Sequence, residues 1–92
     1  MISDDMIVVR SAEPLTAAID GEIVMLSPDQ GAYFGLNAVG SSIWQLIEVP
    51  RTVSSVCQAM TSEYDVDGQT CRTEVVAFLD DLERAGLVEV HR

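Results

Sequence analysis

An α+β fold is predicted, with an N-terminal antiparallel β-hairpin or three-stranded sheet followed by three helices. Two observations carry it. Short β-prone apolar runs separated by turn residues fill the chain as far as Leu36. At Asn37 the apolar period changes from that of a strand to that of a helix, and it stays helical to Ala85. Strands first and helices after, with short connections and no internal repeat, read as one α+β domain over residues 1–92.

Met6 to Arg10 is the first β-prone run, broken by Ser11-Ala12-Glu13-Pro14. Leu15 to Ile19 is the second, and Asp20-Gly21 after it suits the positive φ values of a tight hairpin turn. Ile23 to Leu26 is apolar at consecutive positions, so it is expected in the middle of a small sheet. Ser27-Pro28-Asp29-Gln30-Gly31 supplies turn chemistry, and Ala32 to Leu36 follows as the last strand of the hairpin. Its alternation sets Ala32, Phe34 and Leu36 on one side and Tyr33 and Gly35 on the other. Gly35 has no side chain, so a second backbone can approach closely there.

Asn37 is a suitable N-cap for a helix over about Ala38–Glu48, with Val39, Ile43, Leu46 and Ile47 at helical spacing beside Trp44. Val49-Pro50-Arg51 ends it, since the residue before a proline avoids helical angles. Thr52 caps a second helix with the stripe Val53, Val56, Cys57, Met60 and Tyr64. Asp67 caps a third over about Gly68–Ala85, whose apolar face is Cys71, Val75, Phe78, Leu79 and Leu82. Asp80 and Arg84 are placed to pair at i, i+4. Gly86 fits the left-handed position that closes a helix, and Leu87 to Val90 reads as a short closing strand or a packed tail. Three short helices beside a hairpin are the parts of a winged helix-turn-helix.

Five basic residues against fifteen acidic ones leave a formal net charge of -10. That charge repels phosphate backbones and anionic lipid, which excludes nucleic acid and membrane surfaces as partners and favours a basic peptide or protein. No apolar run approaches the ~20 residues that span a bilayer. The acidic start, Met1-Ile2-Ser3-Asp4-Asp5, lacks the basic and apolar segments of a secretory signal, so the cytoplasm is the expected compartment.

Catalytic chemistry is missing. The single histidine, His91, stands alone near the end of the chain. Cys57 and Cys71 have no zinc spacing and read as small buried hydrophobes on helix faces. Gly31, Gly35 and Gly40 lack the spacing of a dinucleotide-binding loop. No catalytic, metal or cofactor site is expected, which leaves a binding module.

The residues resemble a family. Asp20-Gly21-Glu22, then Val24-Met25-Leu26, lead into Gly31, Tyr33-Phe34-Gly35-Leu36-Asn37, Val39-Gly40 and Ile43-Trp44. Pro50-Arg51-Thr52-Val53, Glu63-Tyr64-Asp65-Val66-Asp67 and Phe78-Leu79, Leu82 and Gly86-Leu87-Val88 follow. Over about Asp5 to Val90 this is similar to the PqqD family, and most closely to its stand-alone members in lasso-peptide biosynthesis. The stretch from Tyr33 to Trp44 is the more specific part. Glu48-Val49-Pro50-Arg51 departs slightly from the family's usual Asp-Gly-Pro-Arg connection.

The resemblance implies a winged helix-turn-helix peptide-recognition domain, a RiPP recognition element, without catalytic residues of its own. Such domains bind the leader of a ribosomally made precursor peptide. In lasso pathways they deliver it to a leader peptidase of cysteine-protease type and an ATP-dependent cyclase. The leader adds as a strand to the sheet edge and packs beside the third helix. Carried over, the edge is Ala32, Tyr33, Phe34, Gly35 and Leu36, and the groove wall draws on Val75, Val76, Leu79 and Leu82. The packing reading stands beside this: Tyr33 and Phe34 as core and rim of a small sheet, and Phe78 and Leu82 as core. Two other readings are a partner of a radical-SAM peptide-modifying enzyme and a winged-helix DNA-binding regulator. The second is poorly served by a third helix whose Arg72 and Arg84 face Glu74, Asp80, Asp81 and Glu83.

Overall fold

A computed structural model describes residues 2–12, 15–20, 22–27 and 32–91, leaving aside the side chains of Leu15, Ser27, Ala32, Tyr33 and Phe34. The order is β1 (Ile7–Arg10), β2 (Leu15–Ile19), β3 (Glu22–Ser27), β4 (Ala32–Leu36), α1 (Ala38–Leu46), β5 (Arg51–Thr52), α2 (Val53–Glu63), α3 (Gly68–Arg84) and β6 (Val88–His91). The α+β class and the three helices are as expected. The turn chemistry at Pro28 to Gly31 and the break at Glu13-Pro14 lie outside the described residues, as does Gly21.

The strands divide into two three-stranded antiparallel sheets, β2-β3-β4 and β5-β1-β6. The first is the expected hairpin sheet, with β3 in the middle. Asp20 holds φ 52 at its first turn, an angle that a short polar side chain tolerates. The second sheet was not expected. β1 leaves the hairpin and pairs with the far end of the chain, Val8 opposite Val90 and Arg10 opposite Val88. Its other edge takes the two residues after Pro50, with Val8 opposite Arg51. Val8 is fully buried, so β1 lies where the termini close over the helices.

The helix caps follow the sequence closely. Asn37 Oδ1 accepts from the Gly40 N–H at 2.8 Å, Thr52 Oγ1 from the Ser55 N–H at 3.1 Å, and Asp67 Oδ2 from the Thr70 N–H at 3.0 Å. At the end of α3, Gly86 takes φ 76 and its N–H donates to the Glu83 carbonyl, while the Leu87 N–H reaches the Leu82 carbonyl. This pair of bonds satisfies carbonyls that the helix end leaves open. Asp80 pairs with Arg84 at 2.7 Å, as expected, on the exposed face.

Helix α1 stops at Leu46, short of the expected Glu48. Arg10 accounts for it: its N–H donates to the Ile47 carbonyl at 3.0 Å and its Nε to the Trp44 carbonyl at 2.8 Å. With those carbonyls taken by β1, further helical turns have no advantage. The same guanidinium lies 5.0 Å from the centre of the Trp44 ring. Trp44 joins Met25, Ile47, Val53, Val56, Leu79 and Leu87 in the core, each under 3% exposed.

Candidate functional site

The site begins at the outer edge of β4. Strand residues in an antiparallel ladder alternate, with backbone groups facing the partner strand at one residue and away from it at the next. Ile23 of β3 lies opposite Leu36 of β4. The buried Ser41 hydroxyl sits between them, accepting from the Ile23 N–H at 3.1 Å and donating to the Leu36 carbonyl at 3.2 Å. One oxygen reaches both groups only if both point into the space between β3 and β4. The backbone of Leu36 therefore faces β3, and by alternation so do those of Phe34 and Ala32. The N–H and C=O of Gly35 and Tyr33 face the other way, to an edge that no described strand covers.

Ser41 thus ties the start of α1 to the end of the hairpin sheet. Ser41→Ala removes the bridge and leaves the part-buried Ile23 N–H and the buried Leu36 carbonyl to find each other across a widened gap. It is expected to cost about 1–3 kcal/mol in a urea melt, and to speed hydrogen exchange at the Ile23 amide while amides of α2 keep their relative protection.

Gly35 has no positive φ, so its backbone does not require glycine. A Cβ placed there meets nothing within 4 Å. The face beside the edge is open, which is the close-approach position expected for this residue. Leu36 is buried. The expected sides of Ala32, Tyr33 and Phe34 concern side chains outside the description.

Beyond the end of β4 lies a cavity of about 220 Å³ between the first turns of α1 and the middle of α3. Helix α1 comes close because Gly40 has no side chain: a Cβ there would stand 3.3 Å from the Phe78 ring. Phe78, Val75 and Ile43 line the cavity with Met60 and Cys71, and Val39 and Val66 form its exposed rim. Tyr64 also borders it, and its hydroxyl is held 3.1 Å from Ser42 Oγ.

This wall differs from the expected one. Val75 is present, though only 2% exposed, so it is floor. Leu79 and Leu82 are buried in the core and offer no surface. Val76 is half-buried on the other flank of α3, beside Ile2, Arg72 and Ala77. Phe78, expected as plain core, is half-buried and opens on the cavity. The apolar stripe of α3 spans both flanks and the middle of the buried face, and only neighbouring elements decide which flank stays open. Val39, expected in the apolar series of α1, and Val66, in the connection before α3, were not expected on this wall; both are exposed valines that border the cavity.

Cys71 is buried and Cys57 half-buried, with the Cys71 thiol donating to the Cys57 carbonyl at 3.9 Å. Burial pushes both thiols up; Cys71 and Asp4 add to the effect at Cys57, and Glu74 adds to it at Cys71. The folded chain therefore holds thiol protons that the unfolded chain releases at high pH. That contribution to stability is complete below the unfolded thiol range and disappears as pH rises through the folded values. Iodoacetamide at pH 8 should alkylate both more slowly than a free cysteine, and Cys71 more slowly than Cys57, read by mass spectrometry of the digested protein.

The hairpin sheet thus leaves the outer edge of β4 uncovered by any described strand, and an apolar cavity lies past the end of that strand between α1 and α3. The family described as coenzyme PQQ synthesis protein D (PqqD) matches residues 22–88, from the start of β3 to the start of β6. The chain belongs to the PqqD family. Among solved structures, the PqqD-family chain is similar to TbiB1 in complex with the TbiA(beta) leader peptide, at 38% identity and TM-score 0.81 over 88% of this chain and 94% of that one. It is also similar to lasso peptide synthetase B1 complexed with the leader peptide, at 26% identity and TM-score 0.78 over 89% and 96%. The PqqD truncation of Methylobacterium extorquens PqqCD, a stand-alone RiPP recognition element, shares the fold at 19% identity and TM-score 0.79 over 97% and 95%. None of the curated proteins matches the chain. The likeness to the PqqD family expected from Tyr33 to Trp44 is borne out.

Proposed function

We infer that this chain is a non-catalytic RiPP recognition element of a lasso-peptide pathway. It binds the leader of a ribosomally made precursor and presents it to a leader peptidase and an ATP-dependent cyclase in the cytoplasm. The observation that carries this is the outward backbone of Tyr33 and Gly35 on a strand edge that no described strand covers, in a chain 38% identical to a protein solved with its leader peptide. The leader adds to β4 as an extra strand. Main-chain bonds to Tyr33 and Gly35 set its register, and alternate side chains turn toward the cavity. Ala32, Phe34 and Leu36 hold the strand in the sheet through their own backbone bonds to β3. Val75 and Phe78 supply apolar surface below. The -10 charge favours encounter with a basic leader.

The DNA-binding alternative finds no support on α3, where Arg72 is paired with Asp4 at 2.6 Å and Arg84 with Asp80 at 2.7 Å. The lasso pathway is preferred to a radical-SAM partnership because the neighbours at 38% and 26% identity are both B1 proteins bound to leaders. Titration calorimetry against the TbiA(beta) leader, and against the leader of any precursor encoded beside this chain, tests the reading. A saturable one-to-one complex with Kd on the order of micromolar or tighter is expected. No heat with either leader would overturn it.

A further inference from the structure

We propose that the cavity between α1 and α3 selects a lysine or arginine side chain of the bound peptide, whose stem lies along Phe78 and Val39 and whose cation meets Glu74. This deepens the leader-binding reading and rests on it. Glu74 is the one charged residue that lines the cavity among the described residues. It stands one turn before Phe78 on the same flank of α3, and it is exposed at the lip. No cation of the described chain pairs with it. Arg72 is taken by Asp4 and Arg84 by Asp80, while Arg10 lies on Trp44 and Arg51 donates to Ser55. The chain has no lysine.

The remaining lining fixes what kind of side chain the carboxylate can take. Val39, Ile43, Val75 and Phe78 are apolar, and the cavity holds about 220 Å³. A cavity of ~150 Å³ already accommodates benzene, so one long side chain fits here. A peptide side chain that enters the cavity covers its lip and takes water from the Glu74 carboxylate. A leucine in the cavity leaves that carboxylate poorly solvated and unpaired, which is costly. A lysine or arginine fills the apolar space with its stem and keeps its head at the lip beside Glu74, partly in water. The pairing therefore acts as a selector among peptides of similar apolar content.

The test uses the whole chain and a small probe, so it is independent of any leader. Methyl and amide NMR spectra are followed during titration with n-pentylammonium chloride and, separately, 1-pentanol. Pentylammonium should shift Val39, Ile43 and Val75 methyls and the Gly40 amide, and should bind the parent more tightly than pentanol does. Glu74→Gln should weaken pentylammonium by about threefold or more and leave pentanol unchanged. Glu48→Gln, which removes an equal charge from an exposed site away from the cavity, should weaken it far less. The preference should shrink as salt is raised. The proposal is overturned if pentanol binds the parent as tightly as pentylammonium. It is equally overturned if Glu74→Gln behaves like Glu48→Gln, or if neither probe shifts the cavity residues up to its solubility limit. Leader calorimetry decides the strand edge separately. A leader that binds without any cation preference in the cavity refutes this proposal and leaves the recognition reading standing, whereas a chain that binds no leader overturns the recognition reading and, with it, the selection of a peptide side chain, even where the cavity prefers the cation.

Discussion

Gly35→Pro is expected to reduce leader affinity by about thirtyfold or more while the domain remains folded. The Gly35 N–H faces away from β3, so proline removes a donor that no ladder bond within the sheet uses. That is the condition under which an edge strand accepts proline. The pyrrolidine ring also stands where the incoming strand must lie. Loss of one main-chain bond is worth about 1 kcal/mol, and the displaced neighbours on either side of it add to that. Gly35→Ala is the control. Its Cβ meets nothing within 4 Å and its N–H is kept, so it should fold as the parent does and lose much less affinity. Circular dichroism establishes that both variants are folded, and calorimetry with the leader reads the affinity. A folded Gly35→Pro variant that binds like the parent would place the leader elsewhere on the molecule.

The sequence revealed local features well and long-range ones poorly. Asn37, Thr52, Asp67 and Gly86 each act within a few residues of themselves, and each does what its side chain or its lack of one implies. The pairing of β1 with β6 joins opposite ends of the chain. Nothing in Ile7 to Arg10 distinguishes a fourth strand of the hairpin sheet from the centre of a second one. The end of α1 shows the same limit, because Arg10 of β1 sets it from outside the helix. The β4 edge was recognisable through Gly35 and the resemblance over Tyr33 to Trp44. Which backbone groups point outward was not, because that depends on Ser41 bridging Ile23 and Leu36. On α3 the periodicity identified the buried face and could not divide it. Leu79 and Phe78 are adjacent in the stripe, yet one is fully buried and the other opens on the cavity.

That division separates stability from binding in a second pair of variants. Leu79 is fully buried at the centre of the core. Leu79→Ala should cost about 2–5 kcal/mol, a large share of the stability of so small a domain. Leu79→Asp, at a position the resemblance assigned to the groove wall, buries a charge without a partner and should unfold the chain outright. Val39 is 43% exposed at the cavity rim, and an aspartate there keeps its charge in water. Val39→Asp should therefore leave the melting temperature within a few degrees of the parent. A bound leader would lay an apolar side-chain stem across that carboxylate, and affinity should fall by about tenfold or more. Leu79→Ala, at a temperature where it is still folded, should bind within a few-fold of the parent, because its side chain lines no part of the cavity. Thermal melts and leader calorimetry on both variants read the two quantities independently. If Val39→Asp binds at parental affinity while folded, the cavity takes no part in recognition and the site reduces to the β4 edge.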